Sequence, residues 1–212
     1  SILINSNGSY PKRIDSLLNK LNKEYPEKRV IIQFSIDSYP EEHDRIRKIP
    51  GLFARTIESY RLVEKKGKNV VPSVALTCTH ENYKEITKIY EFMKKEYRIK
   101  RFSAILVRDE GVFKTPEEQK KEILNSYQSL INTLYNERLE GKISNFYDKH
   151  SFMGRVLTEK DKIQHENNIK SYIEPRFLSH CPSASIFGVI DCDGTVHPCE
   201  ILDKPLGKLL DY

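Results

Sequence analysis

The sequence predicts an α/β fold in which parallel strands alternate with helices, followed by a small C-terminal β-hairpin that carries cysteines. Three observations support this. Short runs rich in Val, Ile, Phe and Leu recur at residues 2–5, 30–37, 70–77 and 102–108. Amphipathic stretches with helical spacing lie between them. Near the C-terminus, three of the four cysteines fall within the twenty-residue stretch CPSASIFGVIDCDGTVHPCE. Alternation of this kind calls for right-handed helical crossovers between parallel strands, as an open doubly wound sheet or as part of a barrel.

In chain order, the strand at 2–5 precedes Pro11, after which Ile14, Leu17, Leu18 and Leu21 follow the i, i+3, i+4, i+7 pattern of a helix. The next strand, VIIQFSID, alternates between two faces. Val30, Ile32, Phe34 and Ile36 share one side; Ile31, Gln33, Ser35 and Asp37 share the other, which grows polar toward its C-terminal end. Ligands of parallel sheets sit beyond the carboxyl ends of the strands, so Ser35 and Asp37 are candidate site residues. Alternatively, Asp37 and Ser38 cap a turn before a helix.

Further on, Phe53, Ile57, Tyr60 and Val63 form one helical side ending near Gly67, and Tyr83, Ile86, Tyr90, Met93 and Tyr97 form another. His43 and Asp44 lack a recognisable Ser or Cys nucleophile beside them and read as a structural cap. Cys78 reads as a small buried hydrophobe. A longer helix is expected after Pro116, with Ile123, Tyr127, Leu130, Ile131 and Leu134 in its stripe, and EKDKIQHENNIKSYI suits another. The stretch SIFGVIDCDGTVHPC reads as two short strands about the turn Asp193-Gly194.

Composition narrows the function classes. The 212 residues are 38% apolar and 31% charged, with mean hydropathy −0.58, and no apolar run could span a bilayer. Ser1 leads straight into the apolar run Ile2-Leu3-Ile4, as if the chain began inside a fold. Uneven clustering of four cysteines suits reduced thiols in a cytoplasm rather than a secreted disulfide scaffold. The net charge of +5 comes from cations interleaved with anions, as in NKEYPEKR, which is a solvated face; neither a nucleic-acid nor a membrane partner is expected.

Several stretches together resemble the radical S-adenosylmethionine enzymes that carry a C-terminal SPASM or shortened twitch domain. LINSNGS resembles that family's strand ending in Thr-Asn-Gly, and QFSIDSYPEEHDRIRKIPGLF resembles its SIDG…HDxIRG…F segment. VPSVALTCTHENYKEI is similar to its strand followed by Thr and a helix-initial Asn. CPSASIFGVIDCDGTVHPCE resembles the first half of the SPASM motif, since twelve residues separate Cys181 from Gly194 and four separate Gly194 from Cys199. The family's CxxxCxxC loop and the glycine-rich segment before Thr-Asn-Gly have no counterpart in these 212 residues. The chain thus resembles a middle-to-late fragment of a larger enzyme, and Ser38 stands where the family usually has Gly.

The resemblance implies a partial (β/α) barrel, an incomplete TIM-like array, over residues 1–140, a helical connection over 141–180 and the first part of a SPASM-like domain over 181–212. It implies S-adenosylmethionine across the strand ends, contacted by Ser35, with Asp37, Arg47 and the backbone near Leu106 as further cofactor-binding candidates. Arg47 either meets the cofactor's carboxylate or forms a structural salt bridge. Cys181 and Cys199, with Cys192 as a third candidate, would ligate an auxiliary four-iron four-sulfur cluster, because soft thiolates match iron. Cys192 is otherwise an ordinary buried residue, and Glu200 is either an acid-base residue or an exposed salt-bridge partner. The implied activity is hydrogen abstraction from a peptide or small peptide-derived substrate by a deoxyadenosyl radical, fed by a reductant such as flavodoxin or ferredoxin. Two other classes stay open: a non-catalytic binding module, and a zinc-stabilised structural domain using His180 and His197 beside the outer cysteines.

Overall fold

The computed structural model describes residues 2–108, 115–148, 150–174, 183, 185, 188–191, 193–199, 202 and 204–209. The elements are β1 (Ile2–Ser6), α1 (Pro11–Glu24), β2 (Val30–Ser35), α2 (Pro40–Arg47), α3 (Leu52–Lys66), β3 (Val70–Cys78), α4 (Ile86–Glu96), β4 (Phe102–Leu106), α5 (Glu117–Leu139), α6 (Phe152–Ile173), β5 (Val189–Ile190), β6 (Thr195–His197) and β7 (Gly207–Lys208). They group into two compact units, Ser1–Ile169 and Lys170–Tyr212. No helix among the described residues is long and apolar enough to cross a membrane.

The first unit is built on one four-stranded sheet, ordered β1-β2-β3-β4, in which every pair is parallel. Strand order follows chain order, so each right-handed crossover returns its helix to the same face. The core shows that it does. Ile14 and Leu18 of α1, Phe53, Tyr60 and Val63 of α3, Ile86, Ile89, Tyr90 and Met93 of α4, and Ile123, Tyr127, Leu130 and Leu134 of α5 form a single buried cluster. The strand residues in that cluster are Val30, Ile32, Phe34, Val70, Val74, Leu76, Cys78, Phe102 and Ala104, all of one parity. The row Ser6, Phe34, Val74 and Phe102 runs in register across the four strands. None of the alternate set (Leu3, Ile31, Ala75, Ile105) belongs to it. A doubly wound sheet puts helices on both faces. Here, among the described residues, helices cover one face, which is the arrangement of a partial barrel.

Several boundaries differ from the sequence expectation, with β1 running on to Ser6 and β3 to Cys78. β2 ends at Ser35 because Ile36 still donates to Ala75 O (3.1 Å) while the Asp37 amide turns to His43 instead of the ladder. β4 ends at Leu106. The segment 40–47 is helical, a helix the apolar pattern does not reveal because only His43 of its eight residues is buried.

The second unit holds a three-stranded antiparallel sheet, ordered β5-β6-β7. The hairpin between β5 and β6 turns at Gly194, whose φ of +84° suits a residue without a side chain. Asp191 donates to Thr195 O (2.8 Å) and Gly194 to Asp191 O (2.9 Å), closing the turn. The third strand, β7, adds to the expected hairpin.

Candidate cofactor site at the strand ends

The face of the sheet without helices is polar and built from small side chains. Ser35, Ala75 and Ser103 stand side by side across β2, β3 and β4. One step toward the strand starts, Gln33 lies beside Ser73. Gln33 Nε2 donates to Ser103 Oγ across the sheet. Ser73 is fully buried and its Oγ has no hydrogen-bond partner among the described residues, which marks a hydroxyl that water or another group would satisfy. Ser35 is partly exposed at the end of β2. A row of small residues lets a flat group approach the backbone closely. Leu3 and Ile105, on the same face at the outer strands, are about half exposed (54% and 43%).

Beyond β2, the buried Asp37 and His43 and the more exposed Arg47 fix the strand tip. Arg47 Nε donates to Asp37 Oδ2 at 2.6 Å. The salt bridge allowed for Arg47 on sequence grounds is therefore present, and its partner is Asp37. The Asp37 amide donates to His43 Nδ1 (3.2 Å), so the neutral ring carries its proton on Nε2, which is buried without an acceptor among the described residues. The imidazole is fully buried, stands edge-on to Phe53, and has its pKa lowered, chiefly by burial.

Asn82 completes the cluster. Its Nδ2 donates to Asp37 O and Thr77 O, both at 2.8 Å, and its Oδ1 accepts from the Thr79 amide at 2.9 Å. One buried amide thus ties the tips of β2 and β3 together. Asn82 was not among the sequence candidates. Its signal was present in Thr79-His80-Glu81-Asn82, where the Thr79 hydroxyl also accepts from the Glu81 amide, a local pattern typical of Thr and Asn at a helix approach.

The β1–α1 loop is held by α3. Thr56 Oγ1 donates to Asn7 O (2.6 Å) and Ser59 Oγ to Gly8 O (2.8 Å). Gly8 has φ +69°, and a Cβ there would stand 2.8 Å from Thr56 Cα, so both conformation and space demand glycine. Leu106 ends β4, half-buried against the outer core and paired with Cys78. Cys78 is buried, its thiol 3.7 Å from Ile123 O, and burial pushes its pKa up to about 12, which suits a core residue and not a nucleophile.

In the second unit Cys199 follows β6, half-buried and unpaired, and its Sγ accepts from the Leu202 amide at 3.2 Å. His197 Nε2 lies 3.3 Å from Asp191 Oδ2. The candidates Cys181, Cys192 and Glu200 lie outside the described residues, as does His180. Among the described residues no group of three or more His, Cys, Asp or Glu side chains is arranged to hold a metal.

The shape is shared with known structures. The chain superposes on anSMEcpe with bound AdoMet at a TM-score of 0.61 with 16% identity, covering 99% of this chain and 52% of the other. It superposes on native anSMEcpe with bound AdoMet and the Kp18Cys peptide at 0.60, also with 16% identity, covering 99% and 54%. The chain thus spans about half the length of the structures it matches, and the likeness defines the fold class: the parallel α/β array of those AdoMet-bound proteins, with a C-terminal antiparallel sheet. No protein-family model and no curated protein matches the chain.

Proposed function

We propose that this chain belongs to a radical S-adenosylmethionine protein, contributes its cofactor-binding face, and acts on a peptide or small peptide-derived substrate. The observation that carries the reading is the single-wound parallel sheet whose polar face carries Ser35, Ala75 and Ser103 in a row beside the buried Ser73 hydroxyl, which has no hydrogen-bond partner among the described residues. The anSMEcpe structures, those of a radical S-adenosylmethionine sulfatase maturase, share this fold and hold AdoMet, one together with a peptide. Bound S-adenosylmethionine would supply hydrogen-abstracting chemistry beside a reduced iron–sulfur cluster.

The residues have distinct tasks in this reading. Ser35 hydrogen-bonds the cofactor, and the β4 backbone near Leu106 lines the adenine. Asp37 and Arg47, held by each other, with His43 and Asn82, keep the end of β2 in place and so orient Ser35. In the second unit, Cys181 and Cys199, with Cys192, hold an auxiliary four-iron four-sulfur cluster. The Leu202 amide at the Cys199 sulfur is the kind of donor that stabilises thiolate ligands. Glu200 exchanges a substrate proton. A reductant such as flavodoxin or ferredoxin supplies electrons, in the cytoplasm.

Calorimetric titration of S-adenosylmethionine into anaerobically prepared protein tests the reading. Saturable binding that weakens about tenfold in Ser35→Ala, the loss of one good hydrogen bond in a desolvated site, is expected. Absence of saturable binding refutes it. Iron and sulfide present in the wild type and lost in Cys199→Ser would support the cluster; zinc in their place favours a structural zinc domain, and cofactor binding without any metal favours a non-catalytic module.

A further inference from the structure

A polar cavity of about 70 Å³ lies within the first unit between β4, α5, α6 and the segment 145–146. Ser103, Arg138, Thr158, Asp161, Lys162 and His165 contribute its polar lining. Arg138 is the unusual member. Its Nη2 donates to Phe102 O (2.6 Å) and its guanidinium sits 5.6 Å from the Phe146 ring centre, but its Nε is buried with no acceptor among the described residues. No carboxylate among the described residues forms an ion pair with it. The one acidic side chain on the wall, Asp161, is already 2.7 Å from Lys160 Nζ. Lys162 Nζ lies over the Tyr135 ring and also forms no ion pair among the described residues.

A cation with little access to water is costly unless something compensates it, and the Asp161 carboxylate, which acts on Arg138 without forming an ion pair with it, is shared with Lys160. Burial accordingly lowers the pKa of Arg138, and it lowers that of His165, which keeps its Nδ1 on Tyr127 OH (2.6 Å). Arg138 therefore favours an incoming negative charge. Polar cavities are not left dry, and since a water needs only about 10–15 Å³ by this kind of measure, the space accepts several waters or one small polyatomic ion. The planar fork of arginine matches the paired oxygens of a carboxylate or phosphate.

We propose that this cavity is a binding site for a small oxyanion, a phosphate or a short carboxylate, anchored by Arg138 and flanked by Lys162. The cavity shares Ser103 with the polar sheet face, but its charged lining comes from α5 and α6, and the proposal does not rest on the function proposed above.

The test is titration of inorganic phosphate, acetate and chloride into the full chain at constant ionic strength, read by calorimetry and by the thermal midpoint. Saturable one-site binding of phosphate or acetate, with a midpoint that climbs with ligand concentration as binding linkage requires, is expected. The stronger of the two identifies the class. Arg138→Gln should abolish the effect. Because Arg138 also bonds Phe102 O and its loss threatens folding, Lys162→Glu, at an exposed position, serves as the second variant and should weaken binding by about tenfold, as loss of one charge contact implies. Phosphate and acetate behaving like chloride in the wild type, or binding unchanged in both variants, would overturn the proposal.

Discussion

Asn82 shows how a single side chain can set the geometry of a site it need not touch. It satisfies two carbonyls, one just beyond β2 and one in β3, and one amide of its own turn, and it is 3% exposed. Asn82→Ala leaves Asp37 O, Thr77 O and the Thr79 amide without partners in a place water barely reaches. With about 1 kcal/mol net per bond and more for each stranded group, urea unfolding should show a loss of about 2–4 kcal/mol. His43 acts differently, through its proton. Burial lowers its pKa below the ordinary 6.5, so the unfolded chain binds the proton more readily than the folded one. Stability is therefore present above pH 6.5 and declines as pH falls from there toward the lowered folded value. His165, lowered by the same cause, adds to the slope. Each ring contributes up to about 1.4 kcal/mol per pH unit within its window. His43→Asn, which keeps an acceptor for the Asp37 amide, should remove one ring's share of that slope between pH 7 and pH 5 in urea titrations; an unchanged slope would show that His43 titrates normally.

The elements show which parts of the fold a chain displays locally and which it does not. The helices α1, α3, α4 and α5 are legible because their apolar residues repeat at helical spacing, and the two faces of β2 are legible because period two depends on the strand alone. The pairing of Gln33 with Ser103, seventy residues apart, is not legible, because it depends on the register of three strands. The helix α2 escaped for another reason. It has no apolar stripe, only His43 buried; its available signals were Pro40 at the first turn, Glu41 and Glu42 beside it, and Arg45 and Arg47 at the end, the charge order the helix dipole favours. That helix also explains the pair His43-Asp44 as structure. Asp44 accepts from the amides of Gly51 and Phe53 (2.8 Å for Phe53), capping α3 from outside it. Asp44→Ala should uncover those amides and cost about 1–2 kcal/mol, the usual loss for a helix cap, visible as a lowered urea midpoint with an unchanged m-value.

At the scale of the whole molecule, the single winding of the sheet divides labour between neighbouring residues. Phe34 and Ser35 are adjacent in β2 and point to opposite faces. Phe34 is fully buried among the helices, its ring 6.2 Å from Tyr60, while Ser35 is partly exposed on the face without helices. If one face holds the fold and the other binds the ligand, the two substitutions must separate stability from affinity. Phe34→Ala opens a core cavity and should cost about 3–5 kcal/mol. Ser35→Ala, which removes a hydroxyl away from the core, should change unfolding by no more than about 0.5 kcal/mol and still weaken S-adenosylmethionine binding. Denaturant unfolding and calorimetry on the same two variants decide it. A Ser35→Ala protein that loses stability as Phe34→Ala does would mean that the polar face is packed as a second core, and the division of labour on which the cofactor site depends would not hold.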